Sequence, residues 1–212
     1  VPGALWPLDW IEAGRVDIAP PLARVVVAVD PSGSDGVGGD SQGIVVTGKG
    51  LDGDAYILAD RSCRLGPAGW ARQAADAYDE FAADKLVAEV NYGGAMVEST
   101  LKLAHPTVAY KQVTASRGKH VRAEPVAALY ETRWDDAGII IKKPRVHHVG
   151  RCPELEEQLG MFTTAGYQGA GSPDRADALV WALTELMLGS GAQGWLEYAR
   201  EQLAESEARK GH

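Results

Sequence analysis

Four acidic residues fall where the surrounding sequence asks for a dry interior. Asp30 ends the run Val25-Val26-Val27-Ala28-Val29, and Glu89 interrupts Leu86-Val87-Ala88 and Val90. A run that is apolar at every position reads as a strand buried on both faces. An isolated carboxylate in such a place is costly unless a partner or a metal compensates it. Asp174 and Asp177 are three apart at the start of a helical run and so share one face. If the two strands are parallel neighbours, Asp30 and Glu89 emerge at the same carboxyl edge of the sheet, where open α/β sheets bind ligands. Three or four hard oxygen donors gathered there suit magnesium or manganese. Two such ions, about 3.5–4 Å apart, can activate a water and stabilise the leaving oxygen of a phosphodiester. Asp30 is the expected bridging ligand. Glu89 and Asp177 are expected to hold one ion each, with Asp174 as an alternate ligand or a support.

Each acid also has a plainer reading. Asp30 precedes Pro31 and could open a turn, and Glu89 could pair with a lysine. Asp174 suits a helix N-cap, and Asp177 suits the positive end of the helix dipole. Two basic clusters stand beside them. Ser116-Arg117-Gly118-Lys119-His120, with Arg122, combines a glycine that admits a phosphate to the backbone with cations that neutralise it. Lys142, Lys143 and Arg145 form the second, and for both the alternative is ordinary solvated charge. His105, His147 and His148 carry no assigned role. Trp70 and Trp181 read as core packing.

The elements that must hold these residues follow from periodicity. Residues 24–30, 43–48 and 55–60 read as three strands joined by short turns, an antiparallel meander with hairpin chemistry at residues 49–53. A helix over residues 67–82 carries the stripe Trp70, Ala74, Ala77, Tyr78 and Phe81, with Pro67 in its first turn. Strands at 85–90 and 108–113 flank a helix at 94–104, with a loop over 114–120 and a helix over 121–130. Residues 138–149 read as a β-hairpin turning near Lys143-Pro144, residues 153–162 as a helix, and residues 175–188 as the clearest helix of the chain. This order predicts an α/β ribonuclease H-like fold. Its central mixed sheet has five or more strands, three antiparallel and then parallel, flanked by helices with an added hairpin.

Bulk properties set the frame. The chain has 212 residues with 45% hydrophobic and 24% charged, the balance of an ordinary globular domain. Residues 1–23, with a short helix near Leu8–Ala13, read as a linker from a missing N-terminal domain, 24–190 as one domain and 191–212 as a tail. No apolar run is long enough to span a bilayer. Cys63 and Cys152 lie far apart without metal-site spacing, which excludes a disulfide framework and a structural zinc site as readings. The net charge of −8 weighs against a polyanionic partner, but acids clustered around cations lower the total without repelling one.

In this order the motifs resemble the C-terminal nuclease domain of the large terminase subunit of tailed bacteriophages. The carriers are Val25 to Pro31, Val87 to Asn91, Thr114 to Lys119, Arg122-Ala123-Glu124-Pro125 and Ser172 to Ala182. The resemblance implies a metal-dependent endonuclease that cuts concatemeric double-stranded DNA during genome packaging in the cytoplasm of an infected bacterium. It implies Asp30, Glu89 and Asp177 as catalytic acids and magnesium or manganese as cofactor. The implied partners are DNA, a small terminase subunit, the portal ring and an N-terminal ATPase domain of the same chain. No Gly-x4-Gly-Lys-Ser/Thr phosphate loop occurs in these residues, and residues 134–144 look like extra length.

Three rivals stay open at this point. Another ribonuclease H-like nuclease, such as a Holliday-junction resolvase or an RNA-hybrid nuclease, would share the acids. An actin-like or sugar-kinase-like nucleotide-binding domain would need a second phosphate turn, for which Asn91-Tyr92-Gly93-Gly94 is the candidate. A silent DNA-docking module would bind without cutting.

Overall fold

The computed structural model describes residues 3–31, 41–90, 94–115 and 118–189. The loop expected after Asp30, the phosphate turn considered at 91–93, Ser116, Arg117 and the expected tail lie outside them.

A short helix, α1 (Leu8–Ala13), precedes the meander β1 (Leu22–Asp30), β2 (Gly43–Gly50) and β3 (Ala55–Asp60). Then follow α2 (Pro67–Glu80), β4 (Lys85–Glu89), α3 (Gly94–Ala104), β5 (Tyr110–Val113) and α4 (Lys119–Ala128). The ribbon β6 (Arg133–Trp134) and β7 (Ile140–Lys142) leads to β8 (Val146–His148), α5 (Pro153–Gly160), the small pair β9 (Phe162–Thr163) and β10 (Gly166–Tyr167), and α6 (Asp174–Leu183). A π-helical turn, Thr184–Leu188, continues α6.

Six strands form the main sheet in the order β5-β4-β1-β2-β3-β8. Only β2 runs against the others: β1 pairs with β2 and β2 with β3 antiparallel, while β1–β4, β4–β5 and β3–β8 are parallel. This is the expected mixed sheet, with β8 as the added strand.

Alternation along β1 sorts the two faces. Val25, Val27 and Val29 pack with Trp70, Ala74, Val97 and Leu101 of α2 and α3. Val26 and Ala28 pack with Val87, Ala182 and Leu186. All five residues from Val25 to Val29 are buried, as expected of a central strand covered by helices on both sides.

Four expectations change. The segment read as a linker is bound to the domain: Trp6 and Ile11 are buried in the core with Phe162, Leu155 and Tyr130, and Val16 bridges to Val149. The hairpin over 138–149 is not formed. The ribbon pairs Arg133 with Lys142 and turns at residues 135–139, where Asp135 accepts from the Ala137 and Ile139 amides and Gly138 takes φ +78°. The Asp-Gly chemistry sits there, and Pro144 ends a strand without folding it back, so β8 is free to join β3. Helix α4 starts at Lys119, inside the expected loop. The last helix starts at Asp174 with Pro173 as N-cap, which removes the capping role expected for Asp174.

Candidate metal and phosphate site

Register brings the first two acids together. Val29 lies opposite Ala88 in the parallel β1–β4 pair, so Asp30 and Glu89 follow at the same level, side by side at the carboxyl edge. By alternation both share the face of Val26, Ala28 and Val87, the face that α6 covers. The antiparallel partner of Asp30 is Gly43, whose bare Cα faces the Asp174 backbone. The start of α6 therefore sits directly on the edge beside Asp30, and it delivers Asp174 and Asp177 in one turn.

That start is held by residues not foreseen. The Arg175 and Ala176 amides donate to Gln158 Oε1 of α5 at 3.0 and 3.2 Å, which satisfies two of the amides a helix leaves unpaired. Arg175 Nε donates to Asp60 Oδ2 at 2.9 Å, and Ser41 Oγ donates to Asp174 Oδ2 at 3.1 Å. A capping glutamine from another helix leaves no local sequence signal.

Glu89, Asp174 and Asp177 are 4%, 4% and 1% exposed. Burial pushes the Asp30 carboxyl well above the usual carboxylate range, and Asp177 and Glu89 push it further. Among the described residues the Asp30 carboxyl makes no hydrogen bond or ion pair. Burial also raises Asp177, against the opposing pull of Lys119 and Arg122. These are carboxylates whose mutual repulsion calls for a cation.

Two cations of α4 stand among them. Lys119 and Arg122 are three apart and share a face. Lys119 Nζ bonds Asp177 Oδ2 and Ser172 Oγ. Burial alone would lower this ammonium; the Asp177 carboxylate outweighs that and raises it. Arg122, expected at the surface against phosphate, is instead buried. Its Nη1 donates to Glu89 Oε2 at 3.2 Å and its Nη2 lies 3.8 Å from Asp177 Oδ1. Its guanidinium lies 4.6 Å from the centre of the Trp181 ring. Trp181 is not merely core packing either: its Nε1 donates to Glu89 Oε2 at 2.5 Å. Glu89 thus has an arginine and a tryptophan where a lysine was the alternative. The only hint in the sequence was spacing, since Trp181 lies one turn beyond Asp177 on the same face.

Gly118 is the N-cap of α4 with φ −57°, and the nearest atoms to a side chain there belong to the His120 ring at 3.4 Å. Among the described residues nothing requires a glycine at that point. Lys142 lies apart from the acids in the ribbon, with Nζ donating to Glu131 at 2.5 Å, and Lys143 follows it. Arg117 lies outside the described residues. His148 is buried between Tyr130 and Glu156, and His105 pairs with Asp79; neither adjoins the acids.

The donor set is all carboxylate oxygen, the chemistry that suits a hard divalent cation. Among the described residues no three acidic, histidine or cysteine side chains already surround a single point; Lys119 and Arg122 hold the acids instead. Among the described residues, also, no helix is long and apolar enough to cross a membrane.

The comparisons agree with this fold. The solved nuclease domain of the large terminase subunit gp2 of bacterial virus Sf6 is 16% identical with a TM-score of 0.59, over 85% of this chain and 98% of that one. The large terminase nuclease of thermophilic phage G20c is 13% identical with a TM-score of 0.57, over 86% and 98%. A lysine-to-alanine variant of the Sf6 domain, solved with manganese, is 15% identical with a TM-score of 0.56, over 85% and 98%. No curated protein sequence matches the chain. The family described as the terminase RNaseH-like domain matches residues 27–186, a span from the centre of β1 to the π-turn that takes in all four acids, and the chain belongs to that family.

Proposed function

We propose that this domain is a divalent-metal-dependent endonuclease that cuts double-stranded concatemeric DNA during phage genome packaging. The observation that carries the reading is the meeting of Asp30, Glu89, Asp174 and Asp177, from two strands and a helix, at one carboxyl edge. Asp30, Glu89 and Asp177 would hold magnesium or manganese, and Asp174 would support or substitute. A divalent cation bound there supplies the positive charge that favours a deprotonated water and a departing phosphodiester oxygen.

The chain's own residues do the positioning. The edge places Asp30 and Glu89 in line, and the Gln158, Asp60 and Ser41 contacts fix the turn that carries Asp174 and Asp177. Lys119, half-exposed at the rim, pairs with Asp177 and in a loaded site would be free to neutralise a phosphate. Gly118 beside it offers an open backbone to the same strand, and Arg117 would add its charge there. Lys142 and Lys143 would contact the duplex further out. Nothing here resembles a helix that reads base edges, so phosphate contacts would dominate and affinity would fall steeply with salt. A small terminase subunit, a portal ring and an ATPase domain of the same chain are the partners such an enzyme would serve, in the host cytoplasm.

Plasmid digestion tests this. Manganese or magnesium should give nicked and linear DNA, chelator should abolish cutting, and Asp30→Asn should do the same. Cutting by Asp30→Asn at the wild-type rate would remove Asp30 from the mechanism.

A further inference from the structure

We infer that Trp181 and Arg122 are positioning residues that orient the Glu89 carboxylate through its Oε2 atom. This rests on the metal-site reading above.

Both groups converge on one oxygen. Trp181 Nε1 donates to Glu89 Oε2 at 2.5 Å, and Arg122 Nη1 donates to the same atom at 3.2 Å. The donors are themselves ordered by each other, because the guanidinium lies against the indole ring at 4.6 Å, a stacked cation–π contact. The ring comes from α6, the guanidinium from α4 and the carboxylate from β4, so the cluster ties three elements at the site. Helix geometry extends it: Trp181 is four residues past Asp177, and Arg122 Nη2 lies 3.8 Å from Asp177 Oδ1. One stacked pair therefore sets the orientation of acids from two elements.

The arrangement is poorly explained as a stabilising device. Arg122 is 8% exposed, yet among the described residues its Nε has no hydrogen-bond partner, and a buried donor left unpaired costs stability. A core chosen for stability alone would fill this space with apolar side chains. Groups that fix a ligand's orientation through the oxygen not used for coordination are what precise metal sites require.

The test uses the whole chain, labelled with 15N-tryptophan, in chelator and then with magnesium. Six tryptophans give six indole signals, and Trp181→Phe identifies the one that matters. Trp6 Nε1, which has no partner, marks the opposite extreme of the scale. The Trp181 indole proton should lie far downfield, move upfield in Glu89→Gln and in Arg122→Met, and shift on adding magnesium. Calorimetric titration with manganese should show affinity reduced about 10- to 100-fold in Trp181→Phe, while binding to DNA without metal is unchanged. An indole signal indifferent to Glu89→Gln overturns the inference, as does wild-type manganese affinity in Trp181→Phe. If Trp181→Phe does not fold, the test is whether one far-downfield indole signal moves upfield in both Glu89→Gln and Arg122→Met, and the absence of such a signal overturns the inference. Failure of the wild type to cut plasmid in manganese sinks the nuclease reading instead, and the indole measurements are independent of that outcome.

Discussion

The carbonyl of Asp174 occupies the space that a side chain at position 43 would need: a Cβ built on Gly43 would overlap it and press on the Arg175 amide. Because Gly43 is the strand partner of Asp30, this bare position sets how closely the acids of α6 approach the acids of the sheet. Gly43→Ala must push the start of α6 off the edge. A small overpacking of this kind costs about 1–3 kcal/mol, and a displacement near 1 Å costs on the order of 100-fold in rate. The variant should fold, melt a few degrees lower and linearise plasmid at least tenfold more slowly. Cleavage at the wild-type rate would show that the approach of α6 is irrelevant to the chemistry.

Much of this was legible in the sequence, because apolar runs and turn residues are local signals. The bounds of α1, β3 and α3 are those expected, and the meander and the parallel strands follow in order. The acids of the edge were readable for the same reason, since a carboxylate inside Leu86–Val90 contradicts its own surroundings. What was not legible depends on partners distant in sequence. Arg122 looks like a surface cation until α6 brings Trp181 under it. Gln158 looks like any polar helix residue until two amides of α6 meet it. The hairpin was misplaced because the Asp135–Gly138 turn and the Pro144 break both look like turns, and only the strand partner of β8 distinguishes them.

Asp30 should make the metal-free fold less stable. Burial and neighbouring acids raise its carboxyl above the usual range, so the folded state binds a proton more readily than the unfolded state. Its charged form therefore costs stability above the ordinary carboxylate value near 4, and the cost shrinks as pH falls toward that value. Asp30→Asn in chelator at pH 7 should therefore melt at a higher temperature than the wild type. The gain should fade toward pH 4. Magnesium should reverse the order, since it stabilises only the chain that binds it. A melting series in which the variant is never the more stable would contradict this account.

The two basic regions should differ in what they contribute to DNA binding. Lys119 sits at the rim against Asp177, whereas Lys142 is engaged by Glu131 in the ribbon. Removing one lysine–phosphate pairing lowers the slope of log affinity against log salt by about 1. Lys119→Ala should show that reduction, measured on short duplex DNA with calcium present to occupy the carboxylates, because without a cation Asp177 compensates Lys119 as well. Lys142→Ala should lower the slope by clearly less than 1, because Glu131 already offsets part of the charge it would bring to the duplex. Equal slopes for wild type and Lys119→Ala would exclude Lys119 from binding phosphate.

On the far side of the core, acid should loosen the N-terminal segment. Arg15 Nη1 and Nη2 donate to Glu156 Oε1 and Oε2 at 2.9 and 3.1 Å, fastening the residues after α1 to α5. His148 Nδ1 lies 3.0 Å from Glu156 Oε1 and its Nε2 lies 3.1 Å from the Tyr130 hydroxyl. This pairing fits a neutral ring that donates to the carboxylate and accepts from tyrosine. Burial lowers His148 below its ordinary value. His148 and Arg15 hold Glu156 far below the usual carboxylate range despite its burial. Both shifts make the unfolded chain the better proton binder in acid. Stability should therefore fall as pH drops below about 6.5, the ordinary histidine value, and again below about 4.3, that of glutamate. Breaking a buried ion pair of this kind costs about 3–5 kcal/mol. Glu156→Gln should accordingly lower the urea midpoint at pH 7 and remove the lower of the two acid steps. Because the Asp30 shift has the opposite sign, the measurement is cleanest in an Asp30→Asn background, and an unchanged acid profile there for Glu156→Gln would rule out this latch.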